Sequence, residues 1–186
     1  MMASKHKPLD LFVIAFILVC LLIGWILKEG IEARTVGFTD TNANISLEYP
    51  ARWLPKPDPG SLLLVFDPQS RSFFNDRISL QVARWFAQEG MDEFIEHLQT
   101  QRGSDYQLYH TISVGPLEID SLETTRMDYV YAILSPGMDI PNVVRAIDII
   151  FPKGDQVYIL TLSADESEFD GNLPEFDAVV SSIRSN

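Results

Sequence analysis

Cysteine, histidine and positive charge are all scarce in this chain. Its 186 residues hold one cysteine, three histidines and 14 lysines and arginines, against 26 aspartates and glutamates. The lone Cys20 sits inside an apolar run, so the rest of the chain cannot form an internal disulfide in any redox compartment. No two histidines, and no histidine–cysteine set, have the spacing of a zinc site. A G-x-S-x-G elbow and a phosphate-cradling glycine loop are both absent. Without a nucleophile–base–orienter set, the sequence reads as non-enzymatic. Charge excludes a second class. Residues 1–35 take four of the basic and three of the acidic residues, leaving ten and 23, a net of −13, for residues 36–186. Nucleic-acid phosphate repels so acidic a domain, so nucleic acid is no partner.

What the chain does have is an unbroken apolar run from Leu11 to Leu27, LFVIAFILVCLLIGWIL. Seventeen residues at a helical rise of ~1.5 Å span roughly 25 Å, a little short of a ~30 Å hydrocarbon core. Leu9, the stem of Lys28 and local thinning of the bilayer cover the shortfall. The expected organisation is a cytoplasmic tail over 1–8, a transmembrane helix over 9–28, a connector over 29–35 and one globular domain over 36–186. A cleaved signal peptide is the competing reading. A signal core is usually ~7–15 residues and ends at a small-x-small site, whereas Gly30 and Ala33 lack that spacing. A lipoprotein would need a small residue before Cys20, where Val19 stands. The tail's Lys5, Lys7 and free amine nearly balance Lys28 and Arg34 on the other side; the amine and the brevity of the tail favour an inside N-terminus. The chain is then a single-pass cell-membrane protein with its domain periplasmic, extracellular or lumenal.

The domain pattern is α+β. The strand pair VGFTD (36–40) and ISLEYP (45–50) comes first, joined by a polar turn, with Ile45, Leu47 and Tyr49 alternating against Ser46 and Glu48. Ala51-Arg52-Trp53 makes a tight turn and residues 56–60 a loop. Strands follow at Leu62–Phe66 and Ile78–Phe86, the latter with Ile78, Leu80, Val82 and Arg84 on one face. Met91, Phe94, Ile95 and Leu98 line one face of a helix over 91–102, with Gly103 as its stop. Four strands then run over 109–119, 123–134, 142–151 and 156–163, with turns at Pro136-Gly137 and Lys153-Gly154-Asp155. A last helix over 173–184 carries Leu173, Phe176, Val180 and Ile183. Successive strands with short turns imply an antiparallel sheet, and two amphipathic helices must flank it.

The segment Tyr49-Pro50-Ala51-Arg52-Trp53 resembles the opening of the Mog1/PsbP-like family, in which a Y-P-x-x-W pattern is common. The tail is similar too: Leu160-Thr161-Leu162-Ser163-Ala164, an acidic segment with Phe169, then a helix bearing Phe176 and ending at Ser182-Ile183. It departs from the family in lacking a final phenylalanine. The resemblance covers residues 36–186 and marks a fold, with no active site. It implies an antiparallel sheet between helices and mostly non-catalytic work, as lumenal subunits of photosynthetic complexes or as binders of other proteins. Bacterial members are often tethered outside the cytoplasmic membrane. The resemblance therefore implies an accessory or docking subunit of a larger membrane complex, photosynthetic or electron-transferring. The alternative is an extracytoplasmic ligand or cation carrier.

Few residues qualify as sites. His6, His97 and His110 read as solvated or ordinary strand residues. Asp40-x-Asn42-x-Asn44-x-Ser46 imitates a calcium loop but has Ile45 and Ala51 where an EF-hand needs glycine and glutamate, so it reads as a turn. Asn44-Ile45-Ser46 is a glycosylation sequon, meaningful only in a eukaryotic secretory route. Asp165, Glu166, Glu168 and Asp170 precede the last helix; they suit its dipole, Asp165 and Glu168 have capping-box spacing, and a weak Ca²⁺ or Mn²⁺ site is the alternative. For partner contact, Arg71, Phe73, Phe74 and Arg77 stand out. Adjacent phenylalanines cannot share one side of a strand, so either both tuck under a loop or one is exposed and anchors an interface.

Overall fold

The computed structural model describes residues 7–32, 34–42, 45–84, 90–119, 122–134 and 141–185. The chain divides into two compact units, residues 1–35 and 36–186. The first is the helix α1, Lys7–Glu32, 26 residues and ~39 Å long at the usual rise. Its described side chains are those of residues 13–25, all exposed. Among the described residues no helix is long and apolar enough to cross a membrane.

The second unit runs β1 (Thr35–Asp40), β2 (Ile45–Pro50), β3 (Leu54–Pro55), β4 (Leu63–Phe66), β5 (Arg77–Arg84), α2 (Met91–Asp105), β6 (Gln107–Ile119), β7 (Leu122–Ile133), β8 (Asn142–Lys153), β9 (Gln156–Asp165), α3 (Phe169–Ser181) and β10 (Arg184–Ser185). Seven strands form one sheet in the order β3-β4-β5-β9-β8-β7-β6, and β1-β2-β10 form a small one. Every pairing whose register is described is antiparallel. The α+β expectation, an antiparallel sheet flanked by helices, holds.

The central strands β8 and β9 are covered on both faces, which is why they read as nearly continuous apolar runs. Ile147, Ile149 and Phe151 face the same side as Leu160 and Leu162, where α3, β2 and Trp53 complete one core. Val144, Ala146, Ile150, Val157 and Ile159 face the other side, where Phe94, Ile95 and Leu98 of α2 complete a second. The β8–β9 hairpin turns on Gly154-Asp155, with Lys153 paired to Gln156. Gly154 takes φ 65°, a left-handed conformation that costs glycine nothing.

Several local expectations need correction. The alternation in β5 fails at its end: Val82 and Arg84 are exposed, because among the described residues no element covers them on that face. Trp85 and Phe86, the turn at Pro136-Gly137, and Ala43-Asn44 lie outside the described residues. Helix α2 does not stop at Gly103 but continues to Asp105, and Tyr106 leaves it in extended conformation. Arg102, one turn beyond Leu98, is buried against the sheet and holds that last turn in place. Helix α3 begins at Phe169, four residues early, and Ile183 falls beyond its end. The chain then straightens so that Arg184 and Ser185 pair with Ser46 and Ile45.

Candidate partner-docking loop

Residues 67–76 connect β4 to β5, and the connection is closed at its base by the Asp67 N–H donating to the Asp76 carbonyl at 2.8 Å. Serine and aspartate dominate its hydrogen bonding, as expected of residues whose short side chains bond the nearby backbone. Asp67 accepts the Gln69 N–H, Ser70 Oγ donates to the Phe74 carbonyl at 2.9 Å, and Ser72 Oγ donates to the same carbonyl at 2.6 Å. Glu168, at the entrance to α3, then clamps the outside of the loop. Its carboxylate accepts from the Arg71 N–H at 2.9 Å and lies 2.9 Å from Ser70 Oγ, whose single proton it shares with the Phe74 carbonyl.

This scaffold separates the two phenylalanines. Phe74 is 9 % exposed and joins the core beneath α2, with the Arg77 guanidinium 4.9 Å above its ring. Phe73 is 74 % exposed. The expectation that both tuck under the loop therefore fails for Phe73, because Ser72 fixes the Phe74 backbone and Glu168 the Arg71 N–H, and only one ring can point inward. Beside it, the Arg71 side chain has no hydrogen bond or ion pair among the described residues.

Beneath the loop lies a carboxylate that sequence reading missed. Asp76 is buried, accepts the Asp165 N–H at 3.0 Å and the Asn172 side-chain amide at 2.7 Å, and lies near Glu168. Burial pushes its pKa up to about 6; the two hydrogen bonds oppose the rise and the Glu168 charge adds to it.

The four acidic residues around the start of α3 do not act together. Asp165 accepts from the N–H and hydroxyl of Ser167; burial works against its ionised form, but those bonds win and its pKa is lowered. Glu168 is not the second half of a capping box, since its side chain makes no cap bond and reaches across to the loop instead. Glu166 is exposed, and Asp170 lies 3.8 Å from Arg145. Among the described residues no three metal-ligating side chains converge. The Asn42 N–H bonds Asp40 Oδ1 at 2.8 Å, so the chain turns at residues 41–42; Asn44 lies outside the described residues. His97 and His110 are exposed, and His6 lies outside the described residues.

The Tyr-Pro-x-x-Trp segment has a structural job. The Trp53 N–H donates to the Pro50 carbonyl, closing the turn, and Trp53 Nε1 donates to Glu175 of α3 at 2.8 Å. Arg52 grips the same carboxylate at 2.7 Å and Asp67 at 2.8 Å, tying the loop's base to the helix.

An antiparallel sheet between two helices, entered by this turn, defines the class: a PsbP/Mog1-like fold. By sequence, no family model and no curated protein matches. By structure, the chain is similar to the cyanobacterial PsbP, CyanoP, of Synechocystis sp. PCC 6803, with TM-score 0.62 and 16 % identity over 83 % of this chain and 94 % of that one. It is also similar to a point mutant of Mog1, at TM-score 0.56 and 7 % identity over 82 % and 96 % of the two chains. LpqN of Mycobacterium tuberculosis, involved in cell envelope biogenesis, aligns at TM-score 0.55 and 10 % identity over 81 % and 89 %. Identities this low speak for the fold alone.

Proposed function

We propose that this protein is a non-catalytic accessory or docking subunit, held at a membrane by its N-terminal helix, whose globular domain packs on a larger membrane complex. The observation that carries the reading is Phe73: a large apolar ring presented to solvent by a loop whose backbone is hydrogen-bonded on both sides of it. An aromatic held rigid before contact loses little entropy on binding, which is the character of an interface anchor. The apolar run Leu11–Leu27 supports the membrane half, because its seventeen residues at a helical rise of ~1.5 Å span most of a ~30 Å hydrocarbon core. Lys5 and Lys7 ahead of the run support an inside N-terminus and a domain facing the periplasm, the exterior or a lumen. The likeness to a cyanobacterial PsbP and to a protein of cell envelope biogenesis is in keeping with that setting.

Purification of the full chain from native membranes in mild detergent tests the reading. A stoichiometric membrane complex is expected, and Phe73→Ala is expected to release the partner while leaving the domain folded. Recovery as a lone monomer would sink it. Intact mass of the membrane-extracted protein tests the anchor, since a mature N-terminus beyond residue 28 would remove it. Proteolysis in sealed right-side-out vesicles tests the orientation; digestion only after lysis would reverse it.

A further inference from the structure

On the α2 side of the sheet, the ends of β6, β7 and β8 and the first turn of α2 enclose a groove of about 870 Å³. Its accessible apolar lining comes from Met91, Pro116 and Pro152, over the buried Ile150. Its rim is acidic: Asp92, Glu118 and Glu123 line it, all three are exposed, and none is in an ion pair among the described residues. Asp92 has a local explanation, because it sits in the first turn of α2, where the helix dipole favours an acid. The two glutamates have none. Glu118 and Glu123 are direct cross-strand partners in the β6–β7 register, on one face of the sheet. Facing side chains there start only ~5 Å apart, and like charges in that position destabilise a sheet. An uncompensated repulsion beside an apolar trough is a cost to the free domain that a cationic occupant relieves.

We propose that this groove docks a segment of a partner protein that sets an aliphatic or aromatic side chain into the trough and a lysine or arginine between Glu118 and Glu123. The proposal builds on the reading of the domain as a docking module and adds a second contact surface, separate from the loop of Phe73. The occupant's basic character follows from charge complementarity, and the domain's net charge of −13 steers such a segment inward from a distance.

The test uses the full chain in detergent and fluorescent 12-residue peptides that combine arginine or lysine with leucine or phenylalanine. Peptides with the basic residues changed to glutamine serve as controls. Basic–apolar peptides are expected to bind, and Glu118→Gln/Glu123→Gln is expected to weaken them at least tenfold while raising the melting temperature. Glu93→Gln/Glu96→Gln, two exposed acids of α2 outside the groove, is expected to change binding less than twofold. Equal losses from both double variants would mean bulk charge attraction and overturn the proposal. So would binding indifferent to the peptides' basic residues, no binding at all, or a lowered melting temperature for Glu118→Gln/Glu123→Gln. Because the peptides act without the native complex, a failure here leaves the co-purification result, and the role of Phe73, standing.

Discussion

On one face of the seven-stranded sheet, α3, β2 and Trp53 close over a core of Ile, Leu and Phe side chains. On the other, α2 lies across a sheet that is ~29 Å wide at the usual strand spacing, while a helix with its side chains covers only ~10–12 Å. The two faces are finished differently as a result. The first is sealed by apolar burial and by the Glu175 bonds to Trp53 and Arg52. The second buries an ion pair, Arg102 to Asp148 at 2.6 Å, under stacked tyrosines. It also leaves the groove of Glu118 and Glu123 open beside the helix. The face under α3 and β2 holds most of the fold, and the face under α2 leaves surface available for contact.

The ion pair offers the sharpest way to break this comparison. Asp148 is fully buried; Tyr129 and Thr161 donate to its Oδ1, and Arg102 neutralises it while lying 4.8 Å over the Tyr129 ring. Burial raises its pKa against the pull of those partners. Arg102→Met strands the carboxylate and is expected to cost about 3–5 kcal/mol in urea unfolding. Arg102→Met/Asp148→Leu is expected to recover most of that loss, since apolar replacements of both partners are close to neutral. A double variant as unstable as the single one would mean that the pair itself holds α2 down.

Asp76 gives the next effect, on the sealed side. Its folded pKa is raised, so its stability contribution is complete below the unfolded value of 3.8 and is lost as pH rises through about 6. Between pH 4 and pH 7 the domain is expected to lose on the order of 2–3 kcal/mol from this site. Asp76→Asn is expected to flatten that slope in melts recorded across the window, and an unchanged slope would assign it elsewhere. Glu175→Gln follows at about 1–2 kcal/mol, because the charged bonds to Arg52 and Trp53 become neutral ones. Phe73→Ala comes last, within about 0.5 kcal/mol of the parent, since its ring covers nothing; a larger loss in thermal unfolding would make it a structural residue.

Legibility in the sequence followed how far each strand is covered. On the sealed face, the alternation of Ile45, Leu47 and Tyr49 reported burial correctly, because a strand with one covered side has period two. In β5 the same logic placed Val82 inside, yet among the described residues no element covers it. Arg102 and Asp148 were missed for a common reason. Arg102 continues the stripe of Phe94, Ile95 and Leu98, and Asp148 falls between Ala146 and Ile150 on one strand face; each looks like an interruption until its partner is seen. Of the candidate loop, the paired phenylalanines were visible, but which ring is exposed depends on Glu168, 97 residues away from Arg71. Metal binding by the acids around the start of α3 had only their proximity in sequence behind it, and each carboxylate is directed elsewhere.

The small sheet carries a consequence for how the chain reaches its native state. Strand β2 is completed by β10, and Ser182 both donates to the Glu48 carbonyl and accepts the Glu48 N–H across a separation of 134 residues. Contacts so distant along the chain close slowly, because almost the whole domain must be ordered before they form. Loss of only the last few residues would leave β2 with an open edge beside α3. The seam can close only once Ser182–Ser185 are in place, so a chain cut before Ser182 would leave it open however well the seven-stranded sheet has formed.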